Sequence, residues 1–276
     1  MESRQNVQTE EIRRKFPPDW EVPVFRIDFW DGKTRDYCVV VPVINEGDRI
    51  RHFVRRLKEN KINTIADIII VDGGSTDGSL NHEYLRSGGV RGLLTKTDAG
   101  KLSAQLRVAY SFALCNEYRG VVTIDGNDKD DPAAIPNFLR LLGEGYDFVQ
   151  ASRFVPGGKQ RNTPPSRQLA IRWIHAPLLG IASGFNWTDT TQGFRGYSSK
   201  LLLSQRLSIF RNIFSSYELL AYLSYASPIS GFNCIESPSA RYYPKGEVPS
   251  KISSFKGNLN VLLTLIKACL GIYGPA

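Results

Sequence analysis

From residue 37 onward, apolar and polar positions alternate in blocks that match strand, helix, strand. YCVVVPV (37–43) is a continuous β-branched run that predicts a buried strand. The next segment, DRIRHFVRRLKEN, places Ile50, Phe53, Val54 and Leu57 on one helical face. ADIIIVD (66–72) predicts a second strand, SLNHEYLRS a helix and VRGLLTK (90–96) a third strand. KLSAQLRVAYSFALC has Leu102, Leu106, Ala109 and Ala113 at helical spacing, followed by a fourth strand, GVVTID (120–125), and a helix, PAAIPNFLRLLGE. This alternation predicts an α/β fold with a mostly parallel central sheet flanked by helices on both faces. Ligands of such sheets bind beyond the carboxyl ends of the strands.

The flanks are less regular. Residues 1–36 read as a polar extension in which VPVFRIDFW could add an edge strand. After YDFVQAS (146–152), a Gly/Pro-rich loop leads to an apolar helix, QLAIRWIHAPLLGIAS. SYELLAYLSYA predicts a further helix, and NCIESPSARYYPKG a strand ending in a basic loop. The last stretch, NLNVLLTLIKACLGIY (258–273), is apolar but holds Lys267 and is shorter than the roughly 20 apolar residues of a spanning helix. It reads either as a core helix or as a helix lying in a membrane interface. The N-terminus is charged and has no apolar core, so it reads as neither a signal peptide nor a span.

Charge sharpens the division between the halves. The net charge is +8, yet residues 1–150 carry 21 Lys and Arg against 23 Asp and Glu, and residues 151–276 carry 14 against 4. An anionic partner for the second half is the expectation: nucleic acid, a membrane surface or a phosphorylated substrate, with a merely solvated basic surface as the alternative. No aromatic-basic stacking motif or helix-turn-helix pattern is present, which argues against nucleic acid. The four cysteines form no CxxC pair and the three histidines have no ligand spacing, so a zinc site is not expected and the thiols read as reduced and cytosolic.

The candidate chemistry lies in two acidic strand ends. In TIDGNDKDDP, Asp131 before Pro132 reads as a helix N-cap, and Asp130 as a favourable charge at the same helix terminus. Asp125 and Asn127, two apart on an extended chain, face the same way and can converge on one cation. Few protein oxygens suit Mg²⁺ or Mn²⁺ completed by substrate phosphates. In IIIVDGGSTDGS, Asp72 could accept hydrogen bonds from a ligand such as a nucleobase N–H, or serve as a loop cap.

VVVPVINE, IIIVDGGSTDGS, the DGND strand end and TDTTQGFRGYS together resemble family 2 inverting glycosyltransferases of GT-A fold over roughly residues 37–250. DFVQASRFVPGG, PSRQLAIR, QGFRGYSSK and ARYYPKGEVPSKI, in that order, resemble the dolichyl-phosphate or polyprenyl-phosphate sugar synthases. The resemblance implies a donor-binding half (37–150), an acceptor-side half (151–252) and a C-terminal apolar helix (253–276). It places Pro42, Asn45, Glu46, Asp72, Lys101, Asp125 and Gly126 at the nucleotide-sugar donor. It puts a divalent cation on Asp125 with Asn127 or Asp128, and Arg153, Arg167, Arg241 and Lys251 against donor or acceptor phosphates. Each of these cations taken alone reads more readily as a surface residue.

Three departures stand out: Asn127 replaces the usual aspartate, Ile44 stands where tyrosine is common, and the membrane-spanning extensions of many relatives are not seen. The implied reaction moves a hexose from a GDP- or UDP-sugar to a polyprenyl phosphate with inversion, at the cytoplasmic face of an anionic membrane, with an integral membrane partner as a further expectation. A phosphate acceptor is already largely ionised and needs no strong base. A sugar-hydroxyl acceptor, the alternative, would need a carboxylate base, for which Asp189 is the best candidate, and Asp189 reads equally well as an N-cap or turn residue. A non-catalytic nucleotide-binding module is the third reading.

Overall fold

The computed structural model describes residues 2–244 and 255–275. Ten strands are β1 (Phe25–Trp30), β2 (Tyr37–Val43), β3 (Asp67–Asp72), β4 (Val90–Lys96), β5 (Gly120–Thr123), β6 (Phe148–Ser152), β7 (Lys159–Arg161), β8 (Arg195–Ser198), β9 (Cys234–Pro238) and β10 (Ala240–Tyr242). The helices are α1 (Glu2–Arg13), α2 (Asp48–Glu59), α3 (His82–Ser87), α4 (Leu102–Cys115), α5 (Ile135–Gly143), α6 (Pro165–Ala170), α7 (Ala176–Ser183), α8 (Ser199–Leu202), α9 (Glu218–Ile229) and α10 (Phe255–Cys269). A wide π turn, Ile171–His175, joins α6 to α7 into one rod.

Eight strands form one sheet in the order β1-β4-β3-β2-β5-β8-β6-β9. The β4-β3-β2-β5 block and the β6–β9 pair are parallel, whereas β1 and β8 run antiparallel to their neighbours. The fold is therefore α/β with a mostly parallel sheet. Side-chain alternation splits the core by face. Cys38, Val40, Ile69 and Val71 pack under α4 and α9, while Val39, Val41, Ile68 and Ile70 pack against α2 and α5. The four apolar residues read onto one face of α2 are all buried, each contributing about 1.5–3 kcal/mol.

Several local expectations are modified. Within residues 1–36, the edge strand read in VPVFRIDFW is β1, and a helix not foreseen, α1, lies against it, with Ile12 buried and Thr9 Oγ1 accepting the Ile27 N–H at 3.0 Å. β8 was not legible as a strand, because RGYS is short and polar, yet it fills the sheet centre between β5 and β6. The single strand read in NCIESPSARYYPKG breaks at Ser239, after which β10 leaves the main sheet and pairs in parallel with β7. α10 packs on α7 and α9 through Leu265 and Ala268.

Candidate active site

The carboxyl ends of β2, β3 and β5 meet along one rim, where three loops are tied together. At β3, both oxygens of Asp72 accept from the Ser75 N–H, at 2.9 and 3.0 Å, and its Oδ1 accepts from the Ser75 hydroxyl at 2.5 Å. That hydroxyl oxygen accepts the Asn45 N–H at 2.9 Å, and Asn45 Oδ1 accepts the Thr76 N–H at 2.8 Å. Asn45 holds φ 49°, a left-handed conformation that asparagine tolerates. Asp72 is thus the loop cap in this arrangement, and it braces Asn45 through Ser75. Glu46 pairs with Arg49 at 3.0 Å. The Pro42 carbonyl accepts the Gly126 N–H at 3.3 Å, which ties β2 to the acidic turn. Gly126 is closely packed: a Cβ there would sit 2.8 Å from Val43 Cγ2 and 3.1 Å from Ile50 Cδ1, so those side chains would have to shift.

Gln105 carries no sequence signal of its role. Its buried amide donates to the Val43 and Val71 carbonyls, both at 2.9 Å, and clamps the ends of β2 and β3. Lys101 is exposed at the start of α4, 5.8 Å above the Tyr217 ring, and the structure does not bring it to the acidic residues.

The acidic turn after β5 divides by direction. Asp125 is partly exposed, and Asn127 Nδ2 donates to its Oδ2 at 3.4 Å. Asp128, at φ 57°, points instead to Arg56 on α2, with its Oδ1 2.7 Å from Nη1. Arg56 also binds Asp131 at 2.9 Å, and Asp131 caps the 3₁₀ turn at Pro132 by accepting the Ala133 N–H at 3.2 Å. Asp128 as a metal ligand does not fit this geometry, because its carboxylate is committed to Arg56. Asp130 also departs from expectation. It is not a helix-terminus charge but a fully buried partner of Arg241, whose Nη1 donates to its Oδ2 at 2.5 Å. Burial pushes the Asp130 carboxyl up to about 6, with the Arg241 guanidinium pulling the other way.

Asp125 and Asn127 are neighbours, but Asn127 presents its Nδ2 to Asp125 while its Oδ1 accepts the Lys129 N–H at 3.2 Å. Its oxygen would reach a cation beside Asp125 only after the amide turns over. Among the described residues no three His, Cys, Asp or Glu side chains gather into an all-protein metal cage. One carboxylate and one amide oxygen match the oxygen-donor set of a Mg²⁺ or Mn²⁺ that keeps water and phosphate ligands.

Behind the turn, cations converge on Tyr243. Arg241 Nε donates to its hydroxyl at 3.3 Å, and the Arg241, Lys129 and Arg167 cations lie 5.6, 5.7 and 5.9 Å from its ring centroid. Burial would raise the phenol, but Arg241, Arg167 and Arg153 outweigh it and hold its pKa below the ordinary tyrosine value. Arg241 Nη2 also lies 3.8 Å from Asp125, so the cation cluster reaches the acidic turn. Three of the four expected phosphate-binding cations are therefore brought together. Lys251 lies outside the described residues. Tyr243 sits in the quoted ARYYPKG stretch, but nothing in one sequence marks it as the hub.

Asp189 is placed against the role of general base. It is 0% exposed, and its oxygens accept from Arg153 Nε at 2.7 Å, Arg153 Nη2 at 3.1 Å and Gln192 Nε2 at 2.6 Å. Burial alone would raise its pKa, yet Arg153 and Gln192 hold it below the usual carboxylate range. A fully engaged, strongly acidic carboxylate is a poor proton acceptor; it positions Arg153 instead. The loop carrying it is fixed by Arg195, which donates to the Gln192, Thr190 and Leu220 carbonyls, and by Glu236, which accepts the Thr188 and Asp189 N–H groups. On the same loop, a Cβ at Gly193 would lie 2.7 Å from Asp125 Oδ1, so this segment closes directly over the acidic turn.

A mostly parallel sheet with acidic and basic groups gathered past its strand ends is the arrangement this chain shares with nucleotide-sugar transferases of GT-A fold. Glucosyl-3-phosphoglycerate synthase from Mycobacterium tuberculosis, solved with Mn²⁺, UDP and phosphoglyceric acid, shares the fold at a TM-score of 0.57. That match is 16% identical and covers 87% of this chain and 79% of that one. The glycosyl transferase family 2 model matches residues 38–204, and the chain belongs to that family. It is a glycosyltransferase. Among its relatives, an undecaprenyl-phosphate mannosyltransferase of Micrococcus luteus is 28% identical over 165 residues, 59% of this chain and 66% of that protein. A polyprenol monophosphomannose synthase of Mycolicibacterium smegmatis is 26% identical over 208 residues, 74% of this chain and 77% of the relative. A dolichyl-phosphate hexose transferase of Haloferax volcanii is 26% identical over 238 residues, 85% and 94% of the two chains.

Proposed function

We propose that this enzyme transfers a hexose from a nucleoside diphosphate sugar to a polyprenyl phosphate with inversion at the anomeric carbon. The observation that carries the reading is the pairing of a converged cation cluster with an unavailable base. Arg153, Arg167 and Arg241 gather near Tyr243, while the carboxylate expected to deprotonate a hydroxyl, Asp189, is buried and engaged. A phosphate acceptor arrives ionised and needs charge complementarity rather than a base. A hydroxyl acceptor needs the opposite. The names of the three relatives, all polyprenyl-phosphate or dolichyl-phosphate enzymes, support the same acceptor class.

In this reading the Asn45–Asp72–Ser75 network shapes the nucleoside pocket, and Asp125 with Asn127 would hold Mg²⁺ or Mn²⁺. The cation, when bound, neutralises negative charge on the leaving diphosphate. Arg241 supplies positive charge to the donor side of the site, because it lies beside Asp125. Arg153 and Arg167 bind the acceptor phosphate, whose oxygen attacks the anomeric carbon as the bond to the diphosphate breaks. The Asp189 carboxylate keeps the Arg153 fork in place. The donor is a GDP- or UDP-hexose, and the work is done at a membrane surface.

The test is transfer of label from GDP- and UDP-hexoses to polyprenyl phosphate or, in parallel, to free sugars with Mg²⁺ or Mn²⁺ present. Label in the polyprenyl phosphate supports the reading. Label only in a sugar-hydroxyl product overturns it.

A further inference from the structure

The rod from Pro165 to Ser183 turns part of its apolar surface outward. Leu169, Trp173, Ile174 and Ile181 are exposed, Trp173 by 75% and Ile181 by 86%, whereas Ile171, Ala176 and Leu179 face the core. α10 does the same. Leu259, Leu263, Ile266 and Leu270 recur at the spacing of one helical face and are exposed, while Leu265 and Ala268 are buried. The two helices are neighbours, with Cys269 Sγ 3.9 Å from the Leu178 carbonyl. Large apolar side chains grouped on adjoining helices mark an interaction surface rather than ordinary scatter.

Charge selects the occupant. Residues 148–188 contain no Asp or Glu, yet Lys159, Arg161 and Arg172 lie exposed there, and Lys267 is exposed on α10. Apolar residues that include a tryptophan, interleaved with cations and no acids, match the interface of an anionic bilayer. Beside this surface lies a cavity of about 740 Å³, lined in part by Phe154, Arg172, Pro177, Ile181, Phe185 and Thr188. One wall is therefore Ile181 on the exposed face. Another is Thr188, next in sequence to the Asp189 that holds Arg153.

We propose that the exposed sides of the 165–183 rod and α10 dock this chain on an anionic lipid bilayer. The cavity then admits the proximal isoprenoid segment of the acceptor from the membrane towards Arg153; this second role rests on the polyprenyl phosphate reading above. No described helix is long and apolar enough to cross a membrane, so the surface supplies peripheral attachment.

The full chain is tested by flotation with vesicles of phosphatidylcholine alone and of phosphatidylcholine with phosphatidylglycerol. Binding is expected to the anionic vesicles and to weaken with salt. Brominated lipid should quench tryptophan emission, and Trp173→Phe should remove most of that quenching. Ile181→Glu should lower partitioning at least about tenfold, and Arg172→Gln about fivefold, with unchanged circular dichroism because both positions are exposed. Failure of the parent chain to bind anionic vesicles overturns the proposal. So does binding that Ile181→Glu leaves intact, or a dimer that Ile181→Glu dissolves without any vesicle binding. Transfer to a short-chain polyprenyl phosphate in detergent separates the two readings, since it needs no bilayer. Leu263→Glu, on the exposed face of α10 and outside the cavity lining, should retain it. If the parent chain binds vesicles but transfers to no polyprenyl phosphate, the acceptor reading falls and the docking surface stands alone.

Discussion

Arg153 and Asp189 form a two-point buried ion pair, Nε to Oδ2 at 2.7 Å and Nη2 to Oδ1 at 3.1 Å, with side-chain exposures of 1% and 0%. The pair makes Asp189, the carboxylate considered as a base, the support of the Arg153 guanidinium, which the proposed mechanism assigns to the acceptor phosphate. Breaking it leaves a charge buried without its partner. Asp189→Ala should therefore cost about 3–5 kcal/mol in urea unfolding. Asp189→Asn should raise the KM for acceptor more than it lowers kcat, without removing a basic limb from the pH–rate profile. Loss of such a limb would restore Asp189 as the base.

The same pair sets an acid limit on the fold. The native pKa of Asp189 lies below its ordinary value of 3.8, so the native state holds the carboxylate ionised. Its stabilisation is full above that ordinary value and is lost as pH falls through the depressed native pKa. Below about pH 4 the parent chain should lose stability more steeply with falling pH than Asp189→Asn. Unfolding midpoints measured across that range check the sign.

Asn127 and Asp128 make opposite predictions. Asp125→Ala should abolish the thermal stabilisation that Mn²⁺ with a nucleoside diphosphate confers, and Asn127→Asp should strengthen it. Asp128→Ala should leave the metal effect in place while costing about 0.5–1 kcal/mol, because its partly exposed pair with Arg56 is lost. Metal-linked stabilisation that vanishes in Asp128→Ala but survives in Asn127→Ala would reverse the ligand assignment.

Gly126 and Gly193 test the packing of the turn. A Cβ on Gly126 strikes Val43 and Ile50, so Gly126→Ala should destabilise by about 1–3 kcal/mol. A Cβ on Gly193 meets Asp125 itself, so Gly193→Ala should weaken metal-linked donor binding more than it lowers the melting temperature. Calorimetry of both variants with and without Mn²⁺ and nucleotide separates the two effects.

Tyr243 should report on the cation cluster. Its depressed pKa predicts a phenolate absorbance step below the ordinary tyrosine value, absent in Tyr243→Phe. Arg167→Ala, which removes one cation at a partly exposed position, should shift that step upward. It should also raise the acceptor KM by about 10–100-fold, the range of a hydrogen bond to a charged group.

Much of the fold was legible because its elements obey simple periods. β2 and β3 are rich in β-branched residues, and α2 has four apolar residues on one face. β8 escaped, since RGYS owes its strand conformation to the pairing partners β5 and β6 rather than to its own residues. The site divides the same way. Strand-end position picked out Asp72, Asp125 and Asn127, but the direction of each carboxylate depends on distant cations. Arg56 takes Asp128, Arg241 takes Asp130 and Arg153 takes Asp189. Partners 36 to 111 residues apart leave no local pattern.

The nature of the acceptor is the central claim, and ³¹P NMR of the reaction with polyprenyl phosphate and nucleoside diphosphate hexose tests it most directly. Conversion of the lipid phosphomonoester resonance to a phosphodiester, together with release of nucleoside diphosphate, is the result expected. Release of nucleoside diphosphate with the lipid phosphomonoester unchanged and the hexose linked to a sugar hydroxyl would contradict it.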